Sequence, residues 1–244
     1  MGLKIMEFYQ QLSKYYDIIF PLNKQSVNFL KERITEGAVL DLGAGTGNHA
    51  LALAKQGYDV TATDLDENMV AKIKEKATKG DIFITALPLA MEKLEQLNGN
   101  YYSTIICLGN SLVHLESIHS VKKVATTMHE LLENCGKLFI QIVNYDRVLE
   151  EGVTELPLIN REQELISFRR TYKHEDDKII FKGELTIGPE TLINEVSLLP
   201  ITCQQLINIL NEVGFQEIQL FGSFNGQPFS INSPALIVEA IKRT

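Results

Sequence analysis

The sequence has few cysteines, no long apolar run and no excess of basic residues, and each shortage excludes a class of protein. Its three cysteines, Cys107, Cys135 and Cys203, are isolated and free of any CxxC spacing, which indicates reduced thiols in a cytoplasmic protein. No apolar run approaches the roughly 18 residues of a membrane helix, so we expect no membrane partner. The N-terminus lacks the apolar stretch of a signal peptide, and Met6 stands where a myristoylation motif requires Ser or Thr.

Acidic residues outnumber basic ones, 31 to 23, which gives a net charge of −8. The basic residues are scattered and form no stripe that could neutralise phosphates, which argues against a nucleic-acid partner. The length of 244 residues and the 45% share of apolar residues are typical of one globular domain, or of one domain with an insertion. We expect no nucleic-acid partner, and a monomer or a homodimer.

Short strand-like runs alternate with helical apolar periods over most of the chain. Helices are expected to begin at Asp66 and at a capping box formed by Thr202 and Gln205, and one is expected to end at Gly214. The alternation predicts an α/β, Rossmann-like, doubly wound and mostly parallel seven-stranded sheet with a C-terminal antiparallel hairpin. The strand-like runs are residues 38–42, 58–63, 81–85, 103–108, 137–143, 215–221 and 235–241.

The alternation is interrupted between residues 151 and 199. Three runs there have period-two character, at 165–172, 178–187 and 191–199, which predicts an inserted antiparallel β meander. The sequence thus predicts three parts, which are an N-terminal helical segment that covers a cofactor site (1–37), a cofactor-binding domain (38–150 and 200–244) and a substrate lid (151–199).

A glycine-rich loop, Gly43-Ala44-Gly45-Thr46-Gly47, lies between a buried strand and a helix. Glycine at such a turn lets a ligand approach the backbone closely. Asp64 ends the next strand, where its carboxylate can accept hydrogen bonds from ribose hydroxyls. The succession of strand, GxGxG loop, helix, strand and acid predicts an adenosine-containing cofactor.

The form of this loop favours one cofactor over another. The dinucleotide motif is GxGxxG, whereas the third glycine comes one residue early here and Asn48 follows it. The shorter GxGxG loop after Asp41 resembles motif I of the class I S-adenosylmethionine (SAM) methyltransferases. The resemblance implies that SAM is the methyl donor and S-adenosylhomocysteine the product.

Two further motifs resemble the glycine/sarcosine N-methyltransferase branch and related bacterial small-molecule enzymes. They are LGNSLVHL at residues 108–115 and Asn144-Tyr145-Asp146. An NPPY-like motif of enzymes that methylate nucleic acids is missing, as are the acids that hold magnesium in catechol-type O-methyltransferases. The resemblance implies transfer to an amine nitrogen of a carboxylate-bearing metabolite, without a metal.

The resemblance also implies a set of site residues. Tyr15 and Tyr16 fall in the segment that folds over SAM in this family, and Ala86 and Leu87 fall where the family contacts the adenine. Asn110 is placed to touch the substrate carboxylate. The predicted cofactor-binding residues are Tyr16, Asp41, Gly43, Ala44, Gly45, Asp64, Leu65, Met69, Ala86, Leu87, Leu108, Gly109 and His114.

An amine must be neutral to attack, so a proton acceptor is required, and His114 and Tyr145 are the candidates for this catalytic role. The predicted substrate-binding residues are Tyr15, Asn110, Asn144 and Arg170. Arg170 is chosen because regular alternation puts it on one face with Ile166, Phe168 and Tyr172, where it is the single charge and could grip a carboxylate.

Purely structural roles remain open as alternatives for several of these residues. His114 can be a structural histidine, Asn110 a turn residue, and Asn144 a cap for the segment that follows its strand. Tyr15 and Tyr16 can belong to the core, and Arg170 can be a surface arginine. For the whole chain, the alternatives are a small-molecule O-methyltransferase, a SAM-binding protein without catalysis and an NAD-dependent oxidoreductase.

Overall fold

A computed structural model describes the backbone of residues 2–243 and the side chains of residues 11–243. The strands are β1 (Ala38–Leu42), β2 (Asp59–Asp64), β3 (Thr85–Pro88), β4 (Tyr102–Cys107), β5 (Leu132–Val143), β6 (Glu155–Arg161), β7 (Ile166–Glu175), β8 (Lys178–Ile187), β9 (Glu190–Leu198), β10 (Phe215–Phe221) and β11 (Ala235–Lys242). The helices are α1 (Gly2–Ile19), α2 (Lys24–Lys31), α3 (Asn48–Ala54), α4 (Glu67–Gly80), α5 (Ile118–Leu131), α6 (Tyr145–Glu150) and α7 (Cys203–Val213).

Seven strands form one sheet in the order β10-β11-β5-β4-β1-β2-β3. All neighbours in it are parallel except β11, which runs antiparallel to both β5 and β10. The predicted Rossmann-like sheet and its C-terminal hairpin are therefore confirmed. The direction of winding reverses between β1 and β4, and in open α/β sheets ligands bind outside the carboxyl ends of the strands at such a point.

The predicted helix ends are formed by the expected side chains. Asp66 accepts a hydrogen bond from the backbone of Asn68 at the start of α4. Thr202 and Gln205 form a complete capping box at the start of α7, and Gly214 ends that helix with a φ of 109°. These helix ends can be predicted from the sequence, because a capping side chain and the backbone group that it binds lie within three positions of each other.

The third strand lies later in the chain than predicted. Residues 81–85 have an alternating pattern, but the strand begins at Thr85 and pairs with β2 only through residues 85–88. Ile82 and Ile84 instead pack against the core cluster that includes Val70 and Ile73 of α4. Ile82 and Ile84 are therefore apolar because they pack against α4, and not because they form one face of a strand.

The inserted sheet has four strands, not three, in the order β6-β7-β8-β9. The additional strand β6 was missed because the run of residues 155–161 includes Pro157 and its pairing with β7 is irregular between Leu156 and Ile159. Regular antiparallel pairing continues through β7, β8 and β9. We call these four strands the lid sheet.

Helix α1 lies between the lid sheet and the large sheet. Its buried Leu12 and Ile19 share an apolar cluster with Ile166, Phe168 and Leu185 of the lid sheet. After β9 the chain returns to the large sheet, where the backbone N–H of Leu199 donates to the carbonyl of Val113 at 2.8 Å. Among the helices that the structure describes, none has the length and apolar character needed to cross a membrane.

Candidate active site

A cavity of about 550 Å³ opens at the carboxyl ends of β1, β2 and β4, beneath α1 and the lid sheet. This volume lies within the range of small-ligand sites. Its lining comes from two parts of the molecule, which are the loops of the large sheet and the pair formed by α1 and the lid sheet. The lining residues are Leu12, Tyr16, Phe20, Gly43, Gly45, Asp64, Leu65, Asp66, Met69, Leu89, Ala90, Met91, Glu92, Gly109, Ser111, His114, Leu115, Phe168, Phe181, Asn194 and Val196.

The glycine-rich loop forms the floor of one end of the cavity. Gly43 and Gly45 have φ angles of 65° and 56°, which favour glycine. A Cβ atom on Gly43 would lie 2.7 Å from Oγ of Ser111, and one on Gly45 would lie 3.2 Å from the phenol oxygen of Tyr16. Side chains at these positions would therefore fill the space that the backbone leaves open.

Asp64 is held at the end of β2 by two backbone donors. Its Oδ2 accepts from the N–H of Gly45 at 2.8 Å, and its Oδ1 accepts from the N–H of Asp66 at 2.9 Å. Burial raises the pKa of Asp64, while these two hydrogen bonds act in the opposite direction. Each carboxylate oxygen keeps a free lone pair, so the side chain can still accept hydrogen bonds from a ligand.

Asp41 lies behind the glycine-rich loop and does not line the cavity. The residue is almost fully buried, and burial raises its pKa to about 8, with a further contribution from the charge of Asp64. Three carboxylates, those of Asp64, Asp66 and Glu92, line the cavity itself. None of its described lining residues is lysine or arginine, so this end suits a cationic ligand.

Helix α1 closes the cavity above the glycine-rich loop. The ring of Tyr16 faces Gly45, and burial raises the pKa of its hydroxyl to about 12, so it stays neutral. The next residue, Asp17, accepts hydrogen bonds from Thr46 at 2.5 Å and from Lys76 at 2.8 Å. Arg161 of the lid sheet binds the last carbonyls of α1, those of Ile18 and Ile19. The helix is thus attached to both sheets.

His114 ends a short 3₁₀ turn, Ser111–His114, on the cavity wall. Desolvation by the surrounding protein lowers the pKa of its imidazole, although the residue remains exposed towards the opening. A lowered pKa keeps the ring neutral near pH 7, and a neutral imidazole can accept a proton.

The predicted catalytic Tyr145 is fully buried and does not line the cavity. Its hydroxyl accepts a hydrogen bond from Nδ2 of Asn110 at 3.0 Å and is also hydrogen-bonded to Tyr172. Burial raises the pKa of Tyr145 strongly, so its hydroxyl stays protonated and is not available to accept a proton. Asn110 also accepts from the N–H of Val143 at 2.9 Å, and its φ of 70° confirms that it occupies a turn.

Asn144 serves as a cap, and the prediction that it binds substrate needs correction. Its Nδ2 donates to the carbonyls of Ile231 at 2.8 Å and Ser233 at 2.9 Å, and its Oδ1 accepts from the N–H of Arg147. The residue is completely buried. Its donors are therefore satisfied by the loop before β11, and it has no access to a substrate in the cavity.

Arg170 shares the inner face of the lid sheet with Ile166, Phe168 and Tyr172, as the alternation predicted. Its Nη2 donates to the carbonyl of Pro157 at 2.8 Å, and its Nε is buried without a partner among the residues whose side chains are described. Arg170 is not among the described residues that line the cavity. Its role in holding a carboxylate stays a prediction.

Eight predicted cofactor-binding residues line the cavity and five do not. Those on the wall are Tyr16, Gly43, Gly45, Asp64, Leu65, Met69, Gly109 and His114. Those behind it are Asp41, Ala44, Ala86, Leu87 and Leu108, and the predicted substrate residue Tyr15 packs against the cluster under α1 instead. After β3 the wall is formed by residues 89–92, because the strand itself begins later than predicted.

The sequence did not predict that residues of the lid sheet form part of the cavity wall. Phe181, Asn194 and Val196 face the cavity beside Phe168. The period-two pattern could have placed all four on one face, but no local signal showed that this face covers the cavity.

Comparisons with known proteins agree with this geometry. A family model described as a methyltransferase domain matches residues 39–136. The chain is 30% identical over 199 residues to a glycine/sarcosine N-methyltransferase of Halorhodospira halochloris, which covers 80% of this chain and 72% of the relative. It is 27% identical over 217 residues to a protein of the same name from Aphanothece halophytica, with 88% and 80% of the two chains covered.

The fold is also found among solved structures. A SAM-dependent methyltransferase from Clostridium acetobutylicum superimposes with a TM-score of 0.83 at 15% identity, over 97% of this chain and 99% of the other. Together with the sequence relatives, this sets aside the alternative of an NAD-dependent oxidoreductase. The chain belongs to the class I SAM-dependent methyltransferases, enzymes that use SAM as their methyl donor.

Proposed function

We propose that the protein transfers a methyl group from SAM to an amine nitrogen of a small, carboxylate-bearing metabolite. The observation that carries the proposal is a cavity with an acidic cofactor end and an aromatic lid opposite. The glycine/sarcosine N-methyltransferases among its relatives support nitrogen, and not oxygen, as the acceptor atom.

The residues at the acidic end fit SAM. In this proposal the backbone of Gly43 and Gly45 lies along the donor, Asp64 accepts hydrogen bonds from the ribose hydroxyls, and Tyr16 covers it. The carboxylates on the wall, those of Asp64, Asp66 and Glu92, stabilise its positive charge. SAM supplies a methyl group on a positively charged sulfur, which is left as a neutral thioether after transfer.

The remaining chemistry consists of aligning a neutral amine and removing a proton. An ammonium group has no lone pair, so the acceptor loses one proton before its nitrogen attacks the methyl carbon. The N–CH₃ bond forms as the S–CH₃ bond breaks, and the product is an alkylammonium ion. We assign the proton to His114, whose lowered pKa keeps it neutral and which opens towards solvent. Tyr145 then supports Asn110 and the adjacent turn, and does not act as a base.

In this proposal Arg170 supplies the positive charge that binds the carboxylate of the substrate. Its Nε–H is buried and unpaired within the described protein, and it lies on the inner face of the lid sheet. Because Arg170 does not line the cavity, it reaches a substrate carboxylate in this proposal by turning its side chain towards the cavity.

The test is an assay of methyl transfer with the purified protein, SAM and a panel of amines that includes glycine, sarcosine and ethanolamine. We expect N-methylated product and S-adenosylhomocysteine in equal amounts with glycine or sarcosine, and less product with ethanolamine, which has no carboxylate. Equal turnover of ethanolamine would overturn the carboxylate part of the proposal. Methylation of hydroxyl or carboxylate oxygen alone would favour the O-methyltransferase alternative.

A further inference from the structure

The lid sheet supplies an apolar part of the cavity lining. Its residues on the wall are Phe168, Phe181, Asn194 and Val196, and the side-chain oxygen of Asn194 is buried within the protein. Phe181 and Val196 are partly exposed and stand directly opposite each other in β8 and β9. Among the described residues that line the cavity, none from the lid sheet is charged. A ligand at this part of the cavity therefore contacts mainly apolar side chains.

Phe181 and Val196 belong to a cross-strand row of the lid sheet that begins with Tyr172. The ring centroids of Tyr172 and Phe181 are 6.0 Å apart, so the two side chains lie on the same face of the sheet. The hydroxyl of Tyr172 is hydrogen-bonded to Tyr145, which in turn accepts from Asn110. The Tyr172 end of the row is therefore attached to the turn that follows β4.

The Val196 end of the row is attached to the same turn. Leu199, three residues after Val196, donates its backbone N–H to the carbonyl of Val113 at 2.8 Å. The residue after Val113 is His114, the proposed proton acceptor, which lines the cavity. Phe181 lies between the two attachments in the row, so this apolar surface and His114 belong to the same part of the cavity.

We propose that the methyl acceptor is an α-amino acid with an apolar side chain, which packs against Phe181 and Val196. This inference rests on the proposed function and specifies its carboxylate-bearing amine. The methyl transfer itself is the same, with one proton passed to His114 for each N–CH₃ bond that forms. Glycine has no side chain to cover the apolar surface of Phe181 and Val196, whereas leucine or phenylalanine removes that surface from water.

The first test compares kcat/KM of the wild-type protein for glycine, alanine, leucine and phenylalanine at saturating SAM. A single methylene group in an apolar pocket changes kcat/KM by roughly 10- to 200-fold. We therefore expect kcat/KM to be at least about 10-fold higher for leucine or phenylalanine than for glycine. This comparison needs no variant, so it does not depend on how a substitution affects folding.

The substitution Val196→Phe tests whether the lid sheet holds the side chain of the substrate. The larger ring fills space beside Phe181, so we expect the ratio of kcat/KM for phenylalanine to that for glycine to fall by about 10-fold or more. Ile193→Phe is the matched control, because Ile193 is 51% exposed and lies in the same strand on the opposite face. We expect this control to keep the wild-type ratio. The Kd of S-adenosylhomocysteine, measured by calorimetry, shows that both variants are folded.

The outcomes separate this inference from the proposed function. A wild-type protein that methylates glycine better than the three larger amino acids would overturn the inference and leave the proposed function intact. A Val196→Phe variant that binds S-adenosylhomocysteine and keeps the wild-type ratio would also overturn it. Failure of the wild-type protein to methylate any of the amines would overturn the proposed function, and this inference with it.

Discussion

Lys76 of α4 binds the carboxylate of Asp17 at 2.8 Å and thereby connects α4 to α1, the helix that covers the cavity. The same ammonium group donates to Oδ1 of Asn48 at 2.8 Å and to Thr46 at 3.3 Å. Asn48 in turn donates to the carbonyl of Phe20, just after α1. The loop that holds the cofactor and the helix that covers it are therefore joined by one polar network.

Breaking this network should loosen α1. Lys76→Met removes the ammonium group from three partners, and we expect SAM to bind about 3- to 10-fold more weakly, because a partly exposed ion pair contributes up to ~1 kcal/mol. Lys79→Met is the control, since Lys79 lies three residues further along α4 and, among the described residues, pairs with Glu75 alone. Calorimetric titration with SAM would measure both variants. Equal affinities would show that the contacts of Lys76 are not needed to hold α1 over SAM.

Replacing the acid at the end of β2 should weaken SAM binding most directly. Asp64→Ala removes the proposed ribose acceptor and the partner of the Gly45 N–H, at a cost of about 1–3 kcal/mol in binding free energy. Asp59→Ala changes an exposed acid at the other end of the same strand and should leave the affinity unaltered. The measurement is the Kd of SAM for both folded variants. An unchanged Kd in Asp64→Ala would contradict the assignment of this residue.

A methyl group on Gly45 should close the cofactor end. Gly45→Ala places a Cβ atom 3.2 Å from Tyr16 and forces alanine to a φ of 56°. Gly57→Ala is matched for the positive φ but has nothing within 4 Å of the added atom. We expect a similar backbone penalty of ~1–2 kcal/mol in both variants, and a loss of SAM affinity only in Gly45→Ala. Thermal unfolding and calorimetry separate the two effects, and equal SAM affinity of the variants would refute the contact argument.

Asp41 should make the free energy of unfolding depend on pH. Its pKa is raised from 3.8 to about 8 in the folded protein, so folding disfavours the ionised form. The resulting destabilisation is absent at the acid end of this window, below the unfolded pKa. It grows by up to about 1.4 kcal/mol per pH unit as the pH rises towards the folded pKa.

The variant Asp41→Asn cannot ionise, so its gain in stability over the wild-type protein should be larger at about pH 8 than at about pH 5. Urea unfolding of the SAM-free proteins at the two pH values measures this difference. Parallel curves for the variant and the wild-type protein would show that Asp41 is already ionised in the folded protein at about pH 5, and so that its pKa is not raised.

The sequence determined the fold and the cofactor loop because their signals are local. The run from Asp41 through the glycine-rich loop to Asp64 is nearly contiguous, and each part carries its own pattern of apolar residues, glycines or caps. The parallel sheet then follows, since strands joined by helices pack together in few ways. The strand predicted at 81–85 was wrong because its alternating isoleucines serve a helix contact, which depends on distant residues.

Only the tertiary structure decided which side chains face the cavity and which are satisfied elsewhere. Asn144 and Asn194 are both buried asparagines, yet the donors of one are bound by a loop some 86 to 89 residues away, while the Oδ1 of the other has no hydrogen-bond partner among the described residues. Nothing in their immediate sequence separates them. The difference arises because hydrogen-bond partners across a domain are set by how the lid sheet and the C-terminal hairpin pack against the large sheet, and not by residues nearby in the chain.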